Sequence, residues 1–153
     1  MELAAQVLAA LRARGEMLAT AESCTGGLIA ATLTEVPGSS DVVDRGFVTY
    51  SNAAKREMLG VLAATLDAHG AVSEAVAAEM AQGALTRSGA AVAVAVTGIA
   101  GPGGSEFKPE GRVCFGFADA AGVWVETVEF GPIGRAEVRR ATVDHALRML
   151  LAR

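Results

Sequence analysis

The spacing of apolar residues changes several times along the chain, and each change marks an element. Over residues 2–14, Leu3, Val7, Leu8 and Leu11 recur at helical spacing and Gly15 ends the run, which predicts an amphipathic helix. Met17–Ala21 is a short apolar run and predicts a buried strand, followed after Ser23-Cys24-Thr25-Gly26-Gly27 by a helix over 26–35. Pro37-Gly38-Ser39-Ser40 reads as a turn. A second strand is expected over 42–51, with Phe47, Val48 and Tyr50 near its end. Asn52 is then the expected N-cap of a short helix over 53–59, closed by Gly60. Residues 61–72, with His69, read as a connector, and Ser73-Glu74 opens a helix over 74–87 that turns Val76, Ala77, Met80, Ala81 and Ala84 inward. Ala91–Thr97 is almost wholly Val and Ala, as suits a central strand buried on both faces. Arg112–Ala118 and Val123–Phe130 alternate about Asp119-Ala120-Ala121-Gly122 and predict a β-hairpin. A last helix over 135–151 turns Val143, Leu147, Leu150 and Leu151 to the core.

This order predicts an α/β fold: one domain over residues 1–153, a three-layer α/β/α sandwich. Its sheet is mixed, with buried parallel strands first and the hairpin last. A length of 153 residues, 52% of them hydrophobic and 20% charged, fits one globular core. The net charge of −4, without a Lys/Arg run or a basic stripe carrying aromatics, argues against a nucleic-acid partner. Two cysteines form no disulfide framework and point to a reducing cytoplasm. The N-terminus lacks a signal-peptide pattern, and the longest apolar run is too short to span a bilayer, so no membrane partner is expected. A small apolar-rich α/β chain of this kind is expected to be a homodimer.

Three expected strand ends carry reactive or polar groups. At the first, Ser23 and Cys24 lie between a strand and a helix, beside helix-start N–H groups that can hold developing negative charge. Taken alone, Ser23 and Thr25 also read as ordinary N-caps. The second carries Tyr50, with Lys55 just beyond it in the first turn of a helix, where the dipole disfavours a cation. The third is Thr97, which opens the loop Gly98-Ile99-Ala100-Gly101-Pro102-Gly103-Gly104-Ser105. That loop lacks the Gly-Lys-Ser/Thr of a phosphate-binding P-loop and opens no helix, so it is no dinucleotide fingerprint. It can still bring backbone close to a ligand. His69 and His145 have no metal-ligand or triad spacing around them, so neither a metal site nor a cofactor is expected. Convergence of the three ends would combine a hydroxyl nucleophile, a lysine base and an anion cradle, which is Ser–Lys chemistry. Cys24 is the competing nucleophile. Arg135, Arg139 and Arg140 at the start of the last helix carry the wrong sign for its dipole, which an anionic partner would explain.

The stretches AESCTGGLIAATLTEVPGSSDVVDRGFVTYSNAAKREMLGV at 21–61, AVSEAVAAEMAQGAL at 71–85 and AVAVTGIAGPGG at 93–104 resemble the CinA C-terminal domain family. Characterised members of that family are nicotinamide mononucleotide amidohydrolases. The resemblance implies hydrolysis of the nicotinamide carboxamide to nicotinate mononucleotide and ammonia, a step of pyridine nucleotide salvage. It implies Ser23 as nucleophile, with Lys55 and Tyr50 moving protons. It also implies that Thr97 and the Gly101, Gly103 and Gly104 backbone line the nucleotide site, with Arg135 at the phosphate. Backbone groups around Thr25, Gly26 and Gly27 are expected, from helix-end geometry, to hold the oxyanion. The segment 105–111 is acidic where the family usually has a small or apolar residue between Pro109 and Gly111. Two other readings stay open: a non-catalytic pyridine-nucleotide-binding regulatory module, and an amidase for another small carboxamide.

Overall fold

The computed structural model describes residues 2–105 and 107–153; Met1 and Glu106, the latter within the acidic segment, lie outside the described residues. The elements run α1 (Glu2–Ala13), β1 (Leu18–Glu22), α2 (Leu28–Thr34), a single 3-10 turn (Ser39–Asp41), β2 (Val43–Val48), α3 (Asn52–Leu59), α4 (Ala63–His69), α5 (Glu74–Thr86), β3 (Val92–Gly98), β4 (Arg112–Asp119), β5 (Gly122–Glu129) and α6 (Arg135–Leu151). The five strands form one sheet in the order β2-β1-β3-β4-β5. β1 is parallel to β2 and β3, and β4 is antiparallel to β3 and β5. The mixed sheet read from the sequence is therefore present, with β3 at its centre.

Strand alternation sorts the core into two layers. Leu18, Val92, Val94, Val96, Val113 and Phe115 face α1, α2 and α6. Ala19, Ala21, Ala93, Ala95 and Ala118 face the opposite way, toward α3, α4 and α5. The alanine face lets α5 lie close to the sheet. A Cβ at Gly116 in β4 would stand 2.3 Å from the Ala77 carbonyl of α5, and one at Gly83 would stand 2.0 Å from the Leu59 carbonyl of α3. Helices thus cover both faces of the sheet.

Three boundaries differ from the sequence reading, one through a contact between helices and two through local side-chain contacts. The expected connector 61–72 contains α4, which buries only Leu66 of its own residues. Its first turn is held from α5: Glu79 accepts from Leu62 N–H at 2.8 Å and from Thr65 Oγ1 at 2.6 Å. Ser51, not Asn52, caps α3, its hydroxyl accepting from Ala54 N–H at 3.0 Å. β2 ends at Val48, before Tyr50, because the Thr49 and Tyr50 carbonyls turn to Lys55 Nζ instead of a neighbouring strand. Among the described residues no helix is long and apolar enough to cross a membrane.

Candidate active site

β1 ends one residue before the nucleophile candidate, and the pleat decides where each side chain goes. Glu22 points to the α2 side. Ser23 takes the alanine side, where α3 packs, and there it meets Lys55. Lys55 Nζ lies 3.0 Å from Ser23 Oγ, 3.0 Å from the Thr49 carbonyl and 3.3 Å from the Tyr50 carbonyl. Lys55 is only 1% exposed and Ser23 only 7%. A buried lysine against a serine hydroxyl is an unusual arrangement. Lys55 reaches it from the fourth residue of α3, whose Ser51 cap fixes the helix start.

The pair opens into a cavity of about 320 Å³, within the range of small-ligand sites. Ser23, Tyr50, Lys55, Thr97, Gly101, Gly103, Gly104 and Arg135 all line it, so the three strand ends do converge. A larger cavity of about 570 Å³ beside Phe117, Trp124 and Arg153 contains none of these residues. Volume and chemistry therefore disagree, and the chemistry locates the site. His69 and His145 line neither cavity. Among the described residues no three His, Cys, Asp or Glu side chains are grouped as a metal site.

Each lining residue has a local job. Thr97 Oγ1 donates to the Ala71 carbonyl at 2.9 Å and so pins the α4–α5 connector as one wall. Lys108 holds the same connector from outside through the His69 and Val72 carbonyls, at 2.5 and 2.6 Å. Arg135 spans the mouth: Nη1 donates to the Gly101 carbonyl at 2.7 Å and Nη2 to the Tyr50 hydroxyl at 3.0 Å. The Tyr50 side chain is therefore engaged with Arg135; it is the Tyr50 backbone carbonyl that touches Lys55. The glycine loop is held by a residue that sequence reasoning missed. Glu110 accepts from Gly103 N–H at 2.7 Å, and it lies so close under Gly101 that a Cβ there would be 2.1 Å from its carboxylate. Asn52, Ala71 and Val72 also line the cavity; as single residues in a helix start and a connector they gave no pattern to read.

Thr25, Gly26 and Gly27 do not line the cavity. Thr25 is fully buried, its hydroxyl bonded to Glu22, and Gly26 N–H donates to the Ser23 carbonyl at 3.1 Å. The first helical N–H groups of α2 are taken as well: Glu22 accepts from Ile29 at 2.8 Å and Ala30 at 3.1 Å. The cap of α2 is thus a carboxylate from the strand, while Ser23 and Thr25 leave that duty, and those two N–H groups are not offered to a ligand. Cys24 lines the cavity, yet burial pushes its thiol up to about 12. A thiol held protonated is a poor nucleophile.

The whole chain, residues 1–153, matches the CinA C-terminal domain. The chain belongs to that family. The nicotinamide-nucleotide amidohydrolase PncC of Escherichia coli K12 is 52% identical over 151 residues, covering 98% of this chain and 92% of that protein. The PncC of Enterobacter agglomerans is 60% identical over 122 residues, 79% of this chain and 74% of that protein. A CinA-like protein of Chlorobium phaeobacteroides is 55% identical over 141 residues, 89% of this chain but 34% of its own length. The crystal structure of the competence/damage inducible protein CihA from Agrobacterium tumefaciens superposes with a TM-score of 0.95 at 57% identity, covering 99% of this chain and 93% of that one.

Proposed function

We propose that this CinA-family domain is an amidohydrolase that converts nicotinamide mononucleotide to nicotinate mononucleotide and ammonia, with Ser23 as nucleophile and Lys55 as its base. The observation that carries the proposal is Lys55 Nζ buried 3.0 Å from Ser23 Oγ; the PncC relatives support the substrate. A neutral lysine amine has two N–H groups and one lone pair. With the Thr49 and Tyr50 carbonyls receiving the two N–H groups, the lone pair is directed at the Ser23 hydroxyl. The proposal uses Lys55 in that neutral form, the one that can accept the serine proton.

The reaction then has two halves. Lys55 takes the Ser23 proton as Oγ bonds to the carboxamide carbon, and returns it to the departing nitrogen, releasing ammonia and leaving a Ser23 ester. Lys55 next takes one proton from water, whose oxygen bonds to the ester carbon; Ser23 leaves with that proton, and the acid product becomes a carboxylate by losing water's other proton to the released ammonia or to solvent. Arg135, at the mouth and on an exposed helix start, suits the phosphate of the nucleotide. The glycine loop and Thr97 shape the wall between phosphate and carboxamide. Exposed Val123, Trp124 and Val125 on the edge strand β5 support a homodimer; light scattering of the purified protein checks its mass. Free Cys24 and Cys114 suit a reducing cytoplasm, which cell fractionation tests.

The deciding experiment measures ammonia release from nicotinamide mononucleotide by the purified protein beside Ser23→Ala. Turnover lost in Ser23→Ala is the expected result. Binding of the nucleotide in calorimetry without turnover would instead make the domain a regulatory module. Equal turnover of a neutral carboxamide, unaffected by Arg135→Ala, would make it an amidase of wider scope.

A further inference from the structure

Glu22 is fully buried, carries a carboxylate, and adjoins the nucleophile in sequence, yet it faces away from the cavity. Its backbone is locked between two strands: its carbonyl accepts from Thr49 N–H at 2.8 Å, and the following Ser23 N–H donates to the Val96 carbonyl at 3.1 Å. Its side chain ties down everything that follows Ser23. Oε1 accepts from the Thr25 hydroxyl and from Ile29 N–H at 2.8 Å, and Oε2 accepts from Ala30 N–H at 3.1 Å. Arg139 of α6 completes the hold, Nη2 donating to the Thr25 carbonyl at 3.0 Å. A carboxylate in an apolar layer is costly unless hydrogen-bonded, and three donors satisfy this one. The turn over residues 23–27 contains two left-handed glycines, Gly26 at φ 59° and Gly27 at φ 107°, so its backbone has little stiffness of its own.

We propose that Glu22 is a positioning residue for the reaction. By joining the Thr25 hydroxyl to the start of α2, it fixes the turn that presents Ser23 Oγ to Lys55 Nζ. The proposal rests on the reading of Ser23 as nucleophile. Misplacement of a nucleophile by about 1 Å costs on the order of 100-fold in rate, and Arg135 makes its own bonds to Gly101 and Tyr50 rather than to this turn. Loss of the clamp is therefore expected to lower kcat and spare substrate binding.

The test compares Glu22→Gln, Thr25→Val and Thr25→Ser in the full chain, with Ser23→Ala as control. Ammonia release gives kcat and KM, and a melting curve monitors the fold. Glutamine puts an NH2 group in place of one carboxylate oxygen, and valine removes the hydroxyl while keeping the shape. We expect kcat to fall roughly 10- to 100-fold in Glu22→Gln and Thr25→Val, with KM within about twofold. Thr25→Ser, which restores the hydroxyl, should return kcat to within about threefold of wild type. Unchanged kcat in Thr25→Val and Glu22→Gln overturns the proposal, as does a fall in kcat that serine does not rescue or that comes with an equal loss of binding. Should Glu22→Gln not fold, the Thr25 valine and serine pair decides alone. An active Ser23→Ala would refute the nucleophile instead, so the two failures are separable.

Discussion

Replacing Lys55 with methionine should separate catalysis from folding. The side chain keeps its length and apolar stem and loses only the amine that stands 3.0 Å from Ser23 Oγ. General acid–base assistance by one group contributes about 10²–10⁴-fold, and each factor of ten in rate is about 1.4 kcal/mol of barrier. Lys55 is asked to act in both halves of the reaction, so the loss should fall in the upper part of that range, roughly 4–5 kcal/mol. Stability responds differently. The Thr49 and Tyr50 carbonyls lose a donor, at roughly 1–3 kcal/mol each. Against this, the cost of holding a polar amine away from water is removed as well. These opposing terms nearly cancel, and the melting temperature should move by less than about 8 °C, which is about 2 kcal/mol in a chain of this size. Lys55→Arg should not recover activity, because a guanidinium stays protonated and cannot accept the serine proton. The assay is ammonia release from nicotinamide mononucleotide at saturating substrate, with Ser23→Ala in parallel. Retention of a tenth or more of wild-type kcat in Lys55→Met, where Ser23→Ala is inactive, would refute the assignment of Lys55 as base.

Other expectations follow from single contacts. Tyr50→Phe removes the hydroxyl that meets Arg135, so KM should rise several-fold while kcat stays within about threefold; a hundredfold loss of kcat would put the Tyr50 hydroxyl in proton transfer. The Cys24 thiol, pushed up to about 12 by burial from an ordinary 9.0, should resist alkylation by iodoacetamide at pH 8 in the folded enzyme. Above pH 9 the unfolded chain releases that proton and the folded chain holds it, so stability should fall by about 1.4 kcal/mol per pH unit up to about pH 12. Denaturant titration of Cys24→Ala should show a shallower decline. Gly116→Ala drives a methyl to 2.3 Å from the Ala77 carbonyl and should lower stability by roughly 3 kcal/mol or more, read as a shift in urea midpoint.

Elements with a dense apolar period were legible in the sequence. α1, α5, β3 and the β4–β5 hairpin all fall within a residue or two of their expected bounds: α1, α5, β3 and β4 bury residues that their own side chains specify, and exposed β5 follows from its turn and its pairing with β4. α4 was not legible, since a seven-residue helix with one buried side chain draws its stability from Glu79 on another helix. The convergence of Ser23, Lys55, Thr97 and Arg135 was readable as residue types at strand and helix ends, where α/β sheets gather ligands. The direction of individual side chains was not. Thr25 has the composition of a cap or a ligand contact, and only the register of β1 against α2 turns it toward Glu22.

The deeper reason lies in the pleat. Glu22 and Ser23 are consecutive, so they must point to opposite faces of the sheet. The motif therefore cannot use both in one cavity, and the structure divides the labour between them. On one face a carboxylate takes up the N–H groups of α2 that a helix start would otherwise present to an anion. On the other, a lysine held by two carbonyls meets the serine. A short helix placed directly after a nucleophile suggests that its dipole serves the reaction. Here the dipole stabilises the protein's own buried carboxylate, and on the proposed mechanism its contribution to chemistry would pass through the rigidity of the turn. Mutations on the α2 side of β1 should therefore change how well Ser23 is aimed, whereas those on the α3 side should change what happens to its proton.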